Sequence, residues 1–246
     1  MMQKIWIAVL VFFSTLTGVS AEQAVLPEHE LLRVGHILFP PFYFSQSVGM
    51  DADMIRTVAA NAQIKTVKFI QFKDLTTLMA ALNEGSIDLI ANGIIKTPDR
   101  EEQYLLTTPY DNKDTGIGIL YTIKMVFADP TDLKKFKIGT LKGSHVPHWF
   151  EKKNIKPVKL ELYDTWDQLM DAFSQNKIDG IVSNYTVCHY AQQKHPKNLN
   201  VKLLESYPLV YMLQKQDRVL QEKLNVAINT LSQNSSLQNI KAKYIK

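Results

Sequence analysis

Residues 78–90 read Leu78-Met79-Ala80-Ala81-Leu82-Asn83-Glu84-Gly85-Ser86-Ile87-Asp88-Leu89-Ile90. Residues 169–181 echo them as Leu169-Met170-Asp171-Ala172-Phe173-Ser174-Gln175-Asn176-Lys177-Ile178-Asp179-Gly180-Ile181, with six of thirteen positions identical. Each copy predicts a helix, a turn at Glu84-Gly85 or Gln175-Asn176, and a strand opening on Ile-Asp. Common residues supply some of the matches, so coincidence is the competing account. The echo favours two lobes of like design.

The surroundings of the first copy fit that reading. Leu75, Leu78, Met79 and Leu82 recur at helical spacing, and 87–91 is an apolar run broken only by Asp88, as in a buried parallel strand. Upstream, 32–34 reads as a strand, 51–62 as a helix with Met54, Ile55 and Val58 on one face, and 67–72 as an alternating strand. Strands separated by helices imply βαβ units, and hence an α/β fold in which each lobe is a mostly parallel sheet flanked by helices. In open sheets of this kind ligands sit beyond the carboxyl ends of the strands. That rule points to Asn92 and Gly93 in one lobe and to Ser183 and Asn184 in the other. Residues 207–213 read as a further strand, followed by a helix whose stripe is Leu220, Leu224, Ala227, Ile228 and Leu231. No long Gly/Ser linker separates the halves, so strand-like crossings at 116–121 and 202–207 are expected. They would make the first lobe discontinuous, 28–118 with 208–246, around a second lobe at 119–207.

The N-terminal residues read as an export signal. Lys4 precedes an apolar run over 5–16, interrupted only by Ser14 and Thr15, and Val19-Ser20-Ala21 offers small residues for cleavage. An uncleaved anchor is the alternative, but the run falls short of the roughly 20 residues that span a bilayer. A signal peptide at 1–21 and a monomeric periplasmic protein starting near Glu22 are therefore expected. Composition narrows the function further. The 246-residue chain is 46% hydrophobic, with a formal net charge of +4 carried by scattered residues, which argues against nucleic acid as a partner. Cys188 is the sole cysteine, so no internal disulfide exists, and a small buried hydrophobe is a better reading of it than a reactive thiol.

Three stretches could carry binding chemistry. In Thr97-Pro98-Asp99-Arg100, Thr97 suits an N-cap, Pro98 the first helical turn, and Asp99 the positive dipole end. Arg100 opposes that dipole, which makes sense if it holds an anion together with free backbone N–H groups. A solvated Arg100 paired with Asp99 or Glu101 is the competing account. Phe39-Pro40-Pro41-Phe42-Tyr43-Phe44 follows the first strand and could present one ring to a ligand, the others being core. Lys142-Gly143-Ser144-His145 follows a strand at 138–141, where Gly143 permits close approach and Ser144 can donate to a ligand oxygen. His145 and His148 lack a third ligand and flank Pro147, so a metal is not expected. Neither a Gly-x-x-x-x-Gly-Lys loop nor a Gly-x-Ser-x-Gly elbow is present.

Several motifs occur in one consistent order. They are Leu32-Arg33-Val34-Gly35 with Pro40-Pro41-Phe42, Gly49-Met50-Asp51-Ala52-Asp53, Gly85-Ser86-Ile87-Asp88, Thr97-Pro98-Asp99-Arg100 and Pro109-Tyr110. Asp132-Leu133-Lys134, Ile138-Gly139 with Lys142-Gly143-Ser144, and Lys177-Ile178-Asp179 continue the series. From about Leu31 onward the chain thereby resembles the family 3 extracellular solute-binding proteins that serve polar amino acid ABC transporters. The resemblance implies a two-lobed periplasmic binding protein fold of type II. It also implies that Arg100 grips a ligand carboxylate, that Phe39 stacks on the ligand, and that Leu75 forms an apolar wall. Asn92, Gly93 and Ile95 would touch the carboxylate, and Ser144 and His145 would donate from the second lobe. This sequence departs from the family pattern at two site positions, and its segment between Gly35 and Pro40 is one residue short. Ile95 stands where a Ser or Thr hydroxyl is usual, and Asn184 where a carboxylate usually meets the ligand ammonium.

The expected function is thus a periplasmic receptor that closes over a small amino-acid-like or carboxylate ligand and delivers it to an ABC transporter permease. It would need no cofactor or metal and perform no catalysis. An enzyme on the same scaffold, of the cyclohexadienyl or arogenate dehydratase kind, is the alternative, and a sensor or adhesin without a transporter is a third.

Overall fold

The computed structural model describes residues 30–245, and the expected signal peptide at 1–21 lies outside them. A first sheet begins with β1 (Leu31–His36), which crosses through α1 (Met50–Asn61) to β2 (Thr66–Gln71) on one side. The chain then passes through α2 (Leu75–Asn83) to β3 (Leu89–Ile95) on the other. After α3 (Pro98–Gln103) and the short β4 (Leu105–Leu106) it leaves this sheet. A second sheet takes β5 (Gly116–Thr122) and then, past a 3-10 turn at Pro130–Lys135, repeats the scheme. β6 (Lys137–Leu141) crosses through α4 (Val146–Lys152) to β7 (Lys159–Tyr163), and α5 (Trp166–Ser174) leads to β8 (Gly180–Asn184). α6 (Tyr185–Lys194) and β9 (Leu199–Ser206) complete the second sheet. The chain returns to the first as β10 (Leu209–Leu213), and α7 (Arg218–Gln233) and α8 (Ser236–Tyr244) pack against α1.

The strand orders are β2-β1-β3-β10-β4 and β7-β6-β8-β5-β9. In each sheet the three strands joined by helices are parallel, as the βαβ reading requires. The strands delivered by the crossings are antiparallel, so both sheets are mixed. The segments expected as crossings run inside the second sheet, where Gly116 pairs with Ser206 and Gly118 with Leu203. The passages themselves are the short stretches before β5 and after β9. They are tied together where Thr115 Oγ1 donates to the Tyr207 carbonyl at 2.8 Å and Asp111 bridges to Leu209. A strand pattern reports alternation and length but not which sheet the strand joins, which is why sequence placed the crossings a few residues too far along.

The echo is structural. α2 is capped by Asp74, which accepts from Thr77 N–H at 2.8 Å, and α5 by Thr165, which accepts from Gln168 N–H at 3.3 Å. The two turns put Gly85 at φ 73 and Asn176 at φ 56, a left-handed conformation that Gly and Asn tolerate best. Asp88 then accepts from Arg33 N–H at 2.6 Å and Asp179 from Lys137 N–H at 2.7 Å, so each Ile-Asp carboxylate anchors the start of the neighbouring strand. Helix and strand meet over a glycine in both lobes. A methyl at Gly35 would fall 2.3 Å from Ile87 Cδ1, and one at Gly139 2.4 Å from Ile178 Cδ1.

The parallel pairings fix where a cleft can open. β1 meets β3 only at Val34–Leu89 and Gly35–Ile90, and β6 meets β8 only at Ile138–Gly180 and Gly139–Ile181. Beyond these pairs the strands part at the point where the order reverses, the place at which open sheets bind ligands. The stripe on α7 is buried as its spacing predicts, and Cys188 is fully buried, its thiol pushed up to about 12 by desolvation. Among the described residues no helix is long and apolar enough to cross a membrane.

Candidate functional site

Where the strands part, residues from both lobes enclose a cavity of about 60 Å³. All nine residues singled out from sequence line it. Phe39, Leu75, Asn92, Gly93, Ile95 and Arg100 come from the first lobe, and Ser144, His145 and Asn184 from the second. Asn92 and Gly93 lie within β3 rather than beyond it, because β10 extends the pairing of β3 as far as Ile95–Leu209.

Arg100 is set by a short chain of local causes. Thr97 starts α3 and Pro98 occupies its first turn, but the Thr97 hydroxyl makes no capping bond. The N–H groups of Arg100 and Glu101 both donate to the Thr97 carbonyl at 3.1 Å, so these two helix-end donors are not free for an anion. The guanidinium donates to the Ile95 carbonyl at 2.8 Å. Neither neighbouring carboxylate pairs with it: Glu101 pairs with Lys96 at 2.9 Å and Asp99 with His148 at 2.9 Å. Arg100 is only half-buried as a residue, yet its guanidinium is packed round by protein, and desolvation pulls its pKa down to about 10. It therefore remains charged at neutral pH. Among the described residues it faces no protein counter-charge.

Asn184 does two things at once. Its Oδ1 accepts from Thr186 N–H at 2.9 Å, capping α6, and its Nδ2 donates to the Gly93 carbonyl at 2.8 Å across the cleft. The two residues stand at equivalent positions of the echo, so the lobes touch through their pseudo-symmetric strand ends. Gly93 has φ 63, and a methyl there would fall 2.1 Å from the Phe42 ring, so only glycine fits. Its N–H donates to Asp51 Oδ2 at 2.7 Å. Asp51 is fully buried and also accepts from the Tyr110 hydroxyl at 2.9 Å; desolvation raises its carboxyl to about 7 despite those bonds.

The remaining walls are mostly apolar. The Phe39 ring lies edge-on to Trp166 of the facing lobe with centroids 5.6 Å apart, and the Gly143 turn approaches Leu75. His145 sits at the start of α4, and burial together with the nearby Arg100 charge pulls it down to about 4, leaving it neutral at pH 7. Ser144 Oγ lies 3.3 Å from Thr140 Oγ1. Among the described residues no group of three or more His, Cys, Asp and Glu is placed to hold a metal.

Residues 32–246 match the family model described as bacterial extracellular solute-binding proteins, family 3. The chain belongs to this family. It is 27% identical over 222 residues to YxeM of Bacillus subtilis (strain 168), a "probable amino-acid-binding protein", covering 83% of this chain and 79% of that one. Among solved structures it resembles an ancestral arginine-binding protein bound to arginine, with a TM-score of 0.77, 23% identity, and coverage of 89% and 100% of the two chains. It also resembles the ancestral amino acid-binding protein AncCDT-1, described as a precursor of cyclohexadienyl dehydratase, with a TM-score of 0.76, 20% identity, and coverage of 88% and 96%. Likeness at these identities shows the two-lobed fold alone.

As a member of this solute-binding family the chain adds cavity residues that sequence did not single out as ligand contacts. Ile117, Leu141 and Val146 extend the apolar wall, and Ser183 lies beside Asn184. Ser183 was legible as a strand end; the three apolar residues read as core, and nothing in their spacing distinguishes a wall from a core. Asp51 read as an ordinary acidic residue in the first turn of a helix. The Asp99–His148 pair joins residues of different lobes, which only the folded arrangement brings together.

Proposed function

We propose that the cleft captures a small amino-acid-like or carboxylate solute, with Arg100 as the anion anchor, and that the protein delivers it to an ABC transporter permease from the periplasm. The observation that carries this reading is the enclosed guanidinium of Arg100, which lines the cavity without a protein counter-charge. A desolvated cation in that position is stabilised by an anion that brings a planar pair of oxygens to its remaining N–H groups. Phe39 and Leu75 would pack against the body of the solute, Asn92, Gly93 and Ile95 would border its carboxylate, and Ser144, His145 and Asn184 would close on it from the second lobe. The family and the amino-acid-binding relative support a receptor.

A dehydratase would need a positioned acid or base. Among the described residues Arg100 and His145 are the ionisable side chains lining the cavity; His145, neutral at pH 7, could accept a proton, but no carboxylic acid lines the cavity to act with it. That favours capture over catalysis, and turnover of prephenate or arogenate by the purified protein would contradict it. The direct test is a thermal-shift screen of amino acids and simple carboxylates. A ligand at about 100 times its Kd should stabilise the wild type by about 2.7 kcal/mol. The same ligand concentration should stabilise Arg100→Ala by only about 0.4 kcal/mol, as a hundredfold loss of affinity implies; an equal shift in that variant would remove the anchor role.

A further inference from the structure

We infer that the cleft selects a small carboxylate that carries no ammonium group, and that Asn184 is the residue that sets this preference. The inference rests on the carboxylate reading above and narrows its ligand class. Among the described residues the cavity lining contains one cation, Arg100, and no acidic side chain. Several of the acceptors that line it are already engaged within the protein, and those that remain, the neutral His145 ring and the Ser144 and Ser183 hydroxyls, carry no negative charge. Asn184 Oδ1 accepts from Thr186 N–H, and Asn92 Oδ1 accepts from Ile37 N–H at 3.0 Å. The Gly93 carbonyl accepts from Asn184, and the Ile95 carbonyl from Arg100. The donors are less engaged. Asn92 Nδ2 is buried without a hydrogen-bond partner, and the Arg100 guanidinium makes a single bond to Ile95.

A donor-rich, positively charged cavity suits oxyanions. A ligand ammonium would be desolvated there beside Arg100, with no carboxylate to meet it, and a buried charge in that position is strongly disfavoured. At the rim, Asp99 Oδ2 already has a partner within the protein, His148 Nε2 at 2.9 Å. Phe39, Leu75, Ile95, Ile117, Leu141 and Val146 make the rest of the wall apolar, so the remainder of the ligand should be compact and neutral. Asn184 holds the selectivity because it presents an amide to the Gly93 carbonyl. A carboxylate at that place would face that carbonyl across 2.8 Å, an arrangement relieved when an ammonium donates to both.

Calorimetry with matched pairs tests this. The pairs are propionate with L-alanine, 3-methylbutanoate with L-valine, and 3-phenylpropionate with L-phenylalanine. In each pair that binds, the acid without the amine should bind the wild type about tenfold or more tightly. Asn184→Asp, which keeps a good helix cap, should narrow or reverse that ratio. If the amino acid of a binding pair holds as tightly as its partner in the wild type, the ligand-class inference is overturned. The carboxylate reading survives that result provided Arg100→Ala weakens binding about a hundredfold. Binding undiminished in Arg100→Ala, or no binding by any of the six compounds, would overturn both.

Discussion

Arg100 and Asp51 are both ionisable groups removed from water, and the protein treats them in opposite ways. Arg100 stays charged toward the cavity. Asp51 is drawn towards its protonated form, its carboxyl raised from 3.8 to about 7 by burial. Its contribution to stability is therefore complete below about pH 4 and is lost as pH rises through 7. The shift corresponds to about 4 kcal/mol between pH 4 and 8. Asp51→Asn keeps an acceptor for Gly93 and should flatten that loss, so urea melts at pH 6 and 8 should differ less in the variant than in the wild type. An unchanged pH dependence would mean that Asp51 is ionised in the folded protein. His145 acts with the opposite sign. With its pKa lowered from 6.5 to about 4, the stability its neutral form contributes is lost as pH falls from 6.5 towards 4. Arg100 was legible in sequence because a cation at a helix start contradicts the dipole. Asp51 was not, because an acid there agrees with it, and the hydroxyl that donates to it belongs to Tyr110, which is remote in sequence.

At the scale of elements, the paired copies of helix, turn and strand make a quantitative claim. Gly35 and Gly139 sit under Ile87 and Ile178 at matched distances of 2.3 and 2.4 Å from an added methyl. Gly35→Ala and Gly139→Ala should therefore each destabilise by roughly 1–3 kcal/mol through overpacking, and by similar amounts. Denaturant unfolding of the two variants checks this, and tolerance of one with loss of the other would show that the copies are not equivalent. The helices and parallel strands were readable because their apolar spacing depends on local sequence alone. The choice of sheet for β5 and β9 depends on partners far away in the chain, so the crossings were placed inside strands. The C-terminal helix also read as one element; Ser235, at φ 60, divides it into α7 and α8.

Across the whole molecule, the contacts between the lobes include one hydrogen bond in the cleft, one pair at its rim and two ring contacts. Asn184 bonds Gly93, His148 pairs with Asp99 at 2.9 Å on a partly exposed rim, and ring contacts join Phe39 to Trp166 and Phe44 to Tyr190. An exposed ion pair contributes about 0–1 kcal/mol, so these contacts leave room for a hinge equilibrium that a ligand can bias. Small-angle scattering should show a smaller radius of gyration at saturating ligand than without it. His148→Ala should enlarge the unliganded radius slightly; no change in either comparison would argue against hinge closure. The two-lobed plan was legible from the echo, but the union of Gly93 with Asn184 was not, since no local pattern reports which strand ends face one another. Calorimetry of the tightest-binding small carboxylate against wild type and Arg100→Ala tests the central claim most directly. If Arg100 anchors the anion, the variant should bind about a hundredfold more weakly. Equal affinity in the two proteins would contradict the claim.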